Sequence, residues 1–224
     1  MTMADRPELV RTEEGLALEW DGMTLRGDLT ALIPRIRPDR LNGELIVKAA
    51  KYEKLYGGGT VTVLDATAGL GEDSFLLAAK GFNVLMYERD ELIFRLLEDS
   101  LRRAADDPLT CEAASRIKAV CGNSIDAMRE IASRGDPGSS PDVIYLDPMF
   151  PARKKSGLIK KKFQILQQLE SPEAGDSLIR AAVDAGPRRI IVKRPAGAKP
   201  LGGVSPSYSV KGGIIRYDCI ILRP

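Results

Sequence analysis

Short apolar runs recur along this chain and alternate with segments whose apolar positions return every three or four residues. The runs at 60–65 (TVTVLD), 83–88 (NVLMYE), 117–121, 142–146 and 188–192 read as strands; the patterns around 72–80, 90–105, 124–134 and 157–185 read as helices. Strand and helix in alternation at this spacing predict a parallel sheet covered on both faces. The end of the chain breaks the rule, because SYSVKGGIIRYDCIIL at 207–222 reads as two strands about a Gly-rich turn. The expected fold is therefore α/β, with a mostly parallel sheet that ends in an antiparallel strand.

The first forty residues follow a different pattern. LALEWDGMTLRG places Asp21-Gly22 between two runs of β-propensity, which signals a hairpin, and IPRIRPDR then carries Arg35 and Arg37 between two prolines and Arg40 just beyond, candidates to extend a phosphate track. From Asn42, a candidate N-cap, the spacing of Leu45, Ile46, Ala49 and Ala50 predicts a helix that the glycines at 57–59 stop. The expected organisation is a small β unit over 1–41 and one larger domain over 42–224.

Composition narrows the chemistry. The 224 residues include no histidine, which excludes imidazole bases, His-based triads and most catalytic zinc sites. Three scattered cysteines, Cys111, Cys121 and Cys219, form no C-x-x-C pair, so neither a disulfide framework nor a metal site is expected. No apolar run reaches the roughly 18 residues of a membrane span and the N-terminus has no secretory apolar core, so the cytoplasm is the expected location and a membrane partner is not. A net charge of +2 makes any argument for nucleic acid a local one.

Ligands of open α/β sheets bind beyond the carboxyl ends of the strands. There the first strand runs from Asp65 into the turn Gly69-Leu70-Gly71 and on to Glu72-Asp73; the second ends at Glu88-Arg89, the third before Asn123-Ser124, the fourth at Asp147-Pro148-Met149-Phe150 and the fifth at Lys193-Arg194. The glycine turn alone is weak, since Ser74 stands where a third glycine of G-x-G-x-x-G belongs. Glu88, 17 residues after Gly71, adds an acid placed to receive ribose hydroxyls and points to an adenosine-containing cofactor. A dinucleotide would set its pyrophosphate against Glu72 and Asp73, whereas S-adenosylmethionine has no phosphate and carries a cationic centre that Asp65, Asp73 and Asp147 are able to face.

Asp147 and the Pro148 carbonyl suit the two N–H groups of an exocyclic base amine, whose lone pair is otherwise delocalised, and Phe150 suits stacking on the base. Arg153, Lys154, Lys155, Lys160, Lys161 and Lys162 then place six cations in ten residues, a candidate phosphate track that Lys193 and Arg194 adjoin. Read from the residues, this is amino-group methylation of a nucleobase. Ribose 2′-O methylation through Lys193 and Asp147, a nicotinamide-dependent dehydrogenase and a non-catalytic RNA-binding assembly factor are the alternatives; cytosine C5 chemistry lacks a placed cysteine.

DATAGLGEDSF, YERD, VIYLDPMFP followed by KKSGLIKKK, and VKRP, together with NGELIVKA, resemble the RsmJ family of bacterial small-subunit ribosomal RNA guanine-N2 methyltransferases. The resemblance runs from about residue 42 to the C-terminus. It implies a Rossmann-like class I methyltransferase fold, S-adenosylmethionine as cofactor, and 16S rRNA in the small ribosomal subunit as partner. It also implies cofactor contacts at Glu72-Asp73, Glu88-Arg89, Asn123-Ser124 and Asp147. This chain departs from the family pattern at Glu72, where arginine is usual, and at Asn123, where serine is usual.

Overall fold

The computed structural model describes residues 7–20, 22–50, 59–135, 138, 140–148 and 174–223. In chain order the strands are β1 (Glu8–Thr12), β2 (Gly15–Trp20), β3 (Met23–Leu25), β4 (Thr62–Asp65), β5 (Asn83–Glu88), β6 (Ile117–Cys121), β7 (Val143–Leu146), β8 (Arg189–Pro195), β9 (Tyr208–Lys211) and β10 (Ile215–Ile221). The helices are α1 (Ile33–Ile36), α2 (Pro38–Leu41), α3 (Leu45–Ala50), α4 (Glu72–Ala79), α5 (Glu91–Asp106), α6 (Cys111–Ser115), α7 (Ser124–Ser133) and α8 (Ala174–Asp184).

Seven strands form one sheet in the order β6-β5-β4-β7-β8-β10-β9. The β6, β5, β4, β7 and β8 strands are parallel; β10 runs antiparallel to both β8 and β9. The strand order reverses between β4 and β7, the switch point at which such sheets open a crevice.

Alternation along the strands divides the core in two. Val63, Val84, Met86, Val143, Tyr145, Ile191, Tyr217 and Cys219 point to the side covered by α3, α4 and α6. Leu64, Ile144, Leu146, Ile190, Val192 and Ile220 point to the side covered by α7 and α8. Because successive residues of a strand face opposite ways, residues 65, 147 and 193 share the α4 side and residue 194 lies on the other.

The N-terminal hairpin forms as expected, with Leu18 opposite Leu25 and Trp20 opposite Met23, and β1 adds a third strand that the pattern did not predict. This small sheet packs Leu18 and Leu25 on Ile93 and Leu96 of α5. Asp99 of α5 accepts the Leu16 amide at 3.0 Å, and Ser100 Oγ accepts the Leu29 amide at 2.9 Å. Trp20 belongs to this packed cluster.

Two local expectations need correction. Asn42 is not the N-cap of α3; it closes α2, and α3 begins at Leu45. The stretch 111–115, which carried no predicted element, is the short helix α6. The cations at 153–162, Phe150, the glycines at 57 and 58 and the first part of the helix expected over 157–185 lie outside the described residues.

Candidate active site

The turn after β4 builds the floor of the crevice. Gly69 and Gly71 both have left-handed backbone, with φ of +54° and +80°. A Cβ on Gly71 would come within 2.7 Å of Leu97 Cδ1, so the glycine lets the turn press on α5. Around Gly69 the space is open: a Cβ there would meet nothing within 4 Å. The first turn requires its glycines for different reasons, one for packing and one for a clear approach.

Glu88 closes the side of this hollow. Its two carboxylate oxygens accept the amides of Gly69 and Asp90, each at 2.8 Å. Burial raises its pKa, partly offset by those two amides. The Arg89 amide also favours the ionised form, and the acceptor capacity left beside these three backbone donors is what a ribose hydroxyl can use. Arg89, next in sequence, is exposed.

Asp65 lies beneath the turn, almost wholly buried. It accepts Ser74 Oγ–H at 2.6 Å and the Thr67 amide at 2.9 Å. Burial, only partly opposed by these donors, lifts its carboxyl to about 7, with Asp147 and Asp73 adding repulsion. Ser74 thus explains the missing third glycine: the position supplies a hydroxyl to a buried acid. The Thr67 hydroxyl in turn accepts the Asp147 amide at 2.6 Å, tying the cofactor turn to the end of β7.

Asp147 and Lys193 face each other across β7 and β8 with Nζ 2.9 Å from Oδ2. The same ammonium lies 2.8 Å from Asp73 Oδ2, which also receives the hydroxyls of Tyr145 at 2.5 Å and Tyr217 at 3.2 Å. Burial raises the pKa of Asp147 and Asp73 adds to it, while Lys193 opposes both. For Lys193, burial pulls the pKa down but Asp147 and Asp73 more than reverse this, so the side chain stays an ammonium. Burial, then Asp73, keeps both tyrosines protonated as donors.

At the third strand end Asn123 caps α7, accepting the Ile125 amide at 3.0 Å and donating to Asp126 at 2.9 Å. Ser124 is buried and donates to the Ala66 carbonyl at 2.7 Å, a brace for the β4 turn.

The structure therefore gathers Asp65, Gly69, Gly71, Asp73, Glu88 and Asp147 around one crevice. Glu72 is exposed at the start of α4. Asp73, expected to face a cofactor cation, has its Oδ2 engaged by Lys193 and two tyrosines. Arg194 must be corrected as an RNA contact: it is 7% exposed, lies on the α7–α8 side and donates to the Lys199 carbonyl at 2.6 Å. Tyr145, Tyr217, Thr67 and Ser74 escaped the sequence reading. Of these only Ser74 left a signal, as a polar residue at a glycine position.

These groups suit S-adenosylmethionine: an open hollow over a glycine turn, an acid beside it for a ribose hydroxyl, and three carboxylates, Asp65, Asp73 and Asp147, against the one ammonium of Lys193 around the centre. Residues 6–221 match the family model described as "Putative SAM-dependent methyltransferase". Over 226 aligned residues the chain is 38% identical to Ribosomal RNA small subunit methyltransferase J of Chromohalobacter salexigens, covering 96% of this chain and 85% of that protein. The chain belongs to the ribosomal RNA small subunit methyltransferase J family. Its members are S-adenosylmethionine-dependent methyltransferases, and a relative of the same name from Pseudomonas aeruginosa is 42% identical over 178 residues, 79% of this chain and 65% of that one. Among solved structures, a SAM-dependent methyltransferase of Neisseria gonorrhoeae superposes with a TM-score of 0.75 at 30% identity, covering 97% of this chain and 84% of that one. Among the described residues no helix is long and apolar enough to cross a membrane, and no cluster of three metal-ligating side chains occurs.

Proposed function

We propose that this protein methylates the exocyclic N2 amine of a guanosine in 16S rRNA. The family carries the ribosomal RNA assignment, because its members are named as small-subunit rRNA methyltransferases. The amine assignment rests on one observation: an acid at the end of β7, Asp147, braced against the cofactor turn through Thr67 and held by the Lys193 ammonium.

S-adenosylmethionine, when bound, supplies an electrophilic methyl group on a cationic sulfur. The chain supplies the rest. Glu88 receives the ribose hydroxyls, the Gly69–Gly71 turn admits the cofactor closely, and Asn123-Ser124 borders the adenine. Asp65 presents negative charge to the cationic end. Asp147 accepts a hydrogen bond from the N2–H, localising the nitrogen lone pair, and takes up the proton that the amine must lose as it gains a methyl group. The Pro148 carbonyl accepts the second N–H and Phe150 stacks on the base. Arg153, Lys154, Lys155, Lys160, Lys161 and Lys162 contact phosphates, and the site uses no metal.

Lys193 is a positioning residue in this scheme. It holds Asp147 ionised and aimed, and is itself fixed by Asp73, Tyr145 and Tyr217. The contact between Lys193 and Asp147 also suits ribose 2′-O methylation, in which a lysine would activate the hydroxyl. A lysine held cationic by two carboxylates is a poor base, and this favours the amine.

The test is transfer of labelled methyl to naked 16S rRNA, 30S particles and 70S ribosomes, followed by nucleoside mass spectrometry. N2-methylguanosine is the expected product. A 2′-O-methylated nucleoside would overturn the amine assignment.

A further inference from the structure

In the sequence Arg35, Arg37 and Arg40 read only as candidates to extend the cationic track of 153–162; in the structure the segment 29–45 that carries them is a wall packed on the core. Leu29, Leu32 and Leu41 are buried in the main core, with Ile36 packed against it. Pro34 and Pro38 each sit in the first turn of a four-residue helix, where a fixed φ suits the backbone. Amides of Arg40 and Leu41 return to the Arg37 carbonyl at 2.9 and 2.8 Å, and that of Gly43 to the Arg40 carbonyl at 2.8 Å. With the apolar positions turned inward, Arg35, Arg37 and Arg40 are presented outward on an anchored frame.

Together they line a cleft of about 770 Å³ whose acids are Asp39 and Glu44. Glu44 is fully engaged by Arg35, Nε to Oε1 at 2.9 Å and Nη2 to Oε2 at 2.8 Å. Asp39 is left for two guanidinium groups, 3.5 Å from Arg37 and 3.7 Å from Arg40, beyond hydrogen-bond length in both cases. Three cations against two carboxylates leave one positive charge in excess. Two planar forks, with 68% and 75% of their side-chain surface exposed, keep donors for a tetrahedral anion.

The cleft adjoins the active site. Helix α1 packs on α4, the helix that carries Glu72 and Asp73. The charges of Asp73 and Glu72 reach Arg35, adding to Glu44 in raising its pKa.

We propose that this cleft is a phosphate-binding subsite, in which Arg37 and Arg40 grip the RNA backbone next to the target nucleotide while Arg35, locked by Glu44, forms its rigid back. This rests on the reading that the substrate is RNA. The site would hold the strand from the α1–α2 side and stands apart in sequence from the cations at 153–162.

The test is binding of 16S rRNA across a salt series by the double variants R37Q/R40Q and R37K/R40K. Each phosphate neutralised on a single strand is worth about fivefold at 0.1 M salt, so losing two costs about 25-fold and flattens the log–log salt slope by about 1.4. The glutamine pair should show this loss with cofactor affinity and melting temperature at wild-type values, and the lysine pair should recover the slope. An unchanged slope in the glutamine pair overturns the proposal, as does a lysine pair no better than the glutamine pair. Should the wild-type protein leave 16S rRNA unmethylated, the substrate reading falls by itself. Polyuridylate then decides the subsite: weaker binding by the glutamine pair supports it, and equal binding overturns it.

Discussion

Lys193 and Asp147 form a 2.9 Å ion pair across the C-terminal ends of the adjacent strands β8 and β7, with Asp73 anchoring the lysine from α4. Lys193→Met removes the group that lowers the Asp147 pKa, leaving burial and Asp73 to raise it. Turnover should fall, and the acid limb of the kcat profile should move to higher pH, while the salt dependence of RNA binding stays at the wild-type value. A pH–rate profile that keeps its acid limb would remove Lys193 from the control of Asp147.

Asp147→Asn keeps the shape and loses the charge. Its kcat should drop by a factor on the order of 10²–10³, with thermal unfolding little changed. Near-normal turnover would show that Asp147 takes no part in the chemistry.

Asp65 titrates at about 7 when folded against an ordinary 3.8. The folded chain thus holds this proton more tightly than the unfolded chain. The group's contribution to stability therefore declines as pH rises from about 4 to about 7 and stays low above that. Asp65→Asn should flatten this part of the stability curve, read as melting temperature against pH. A cation binds the ionised acid better, so cofactor affinity in the wild-type protein should climb as pH rises through about 7, and calorimetry of the asparagine variant should show no such climb.

Asp99 works in the opposite sense. Burial would raise its pKa, but the Leu16 amide and the Arg103 and Arg102 guanidinium groups hold it at about 2. That stabilisation is present above the ordinary 3.8 and is lost as pH falls toward 2. Asp99→Asn should cost on the order of 2 kcal/mol at pH 7 and about half as much at pH 3, measured by urea unfolding.

The two turn glycines should separate stability from binding. Gly71→Ala meets Leu97 and should destabilise the fold by about 1–3 kcal/mol. Gly69→Ala meets no protein atom within 4 Å, so its larger effect should be on cofactor affinity, compared by calorimetry at a temperature where both variants are folded.

The chain's alternating pattern located the main sheet well because each strand is either buried on both faces or ends at a polar turn. The bounds expected for β5 and β6 match those observed, and the acids at the ends of β4, β5 and β7 report the crevice directly. What was hidden depends on distance in the chain. Tyr145 looks like one more apolar residue of β7, and Tyr217 lies 144 positions after the Asp73 that it touches. No local pattern reports such a meeting. Arg194 misled for a related reason: beside Lys193 it reads as a second cation of one patch, yet the pleat turns it to the opposite side. The α6 helix is too short for periodicity to show, and Asn42 satisfied a capping rule that the neighbouring α2 had a prior use for.

The position of β10 bears on when the enzyme becomes an enzyme. It follows β9 in the chain yet lies between β9 and β8, so β9 has no place in the sheet until the later strand has been made and has paired. Tyr217, in the middle of that strand, is also one of the donors holding Asp73. A nascent chain that stops short of β10 lacks both the bridge to the sheet's far edge and a support of the Asp73–Lys193–Asp147 relay, which makes methyl transfer a late milestone of synthesis.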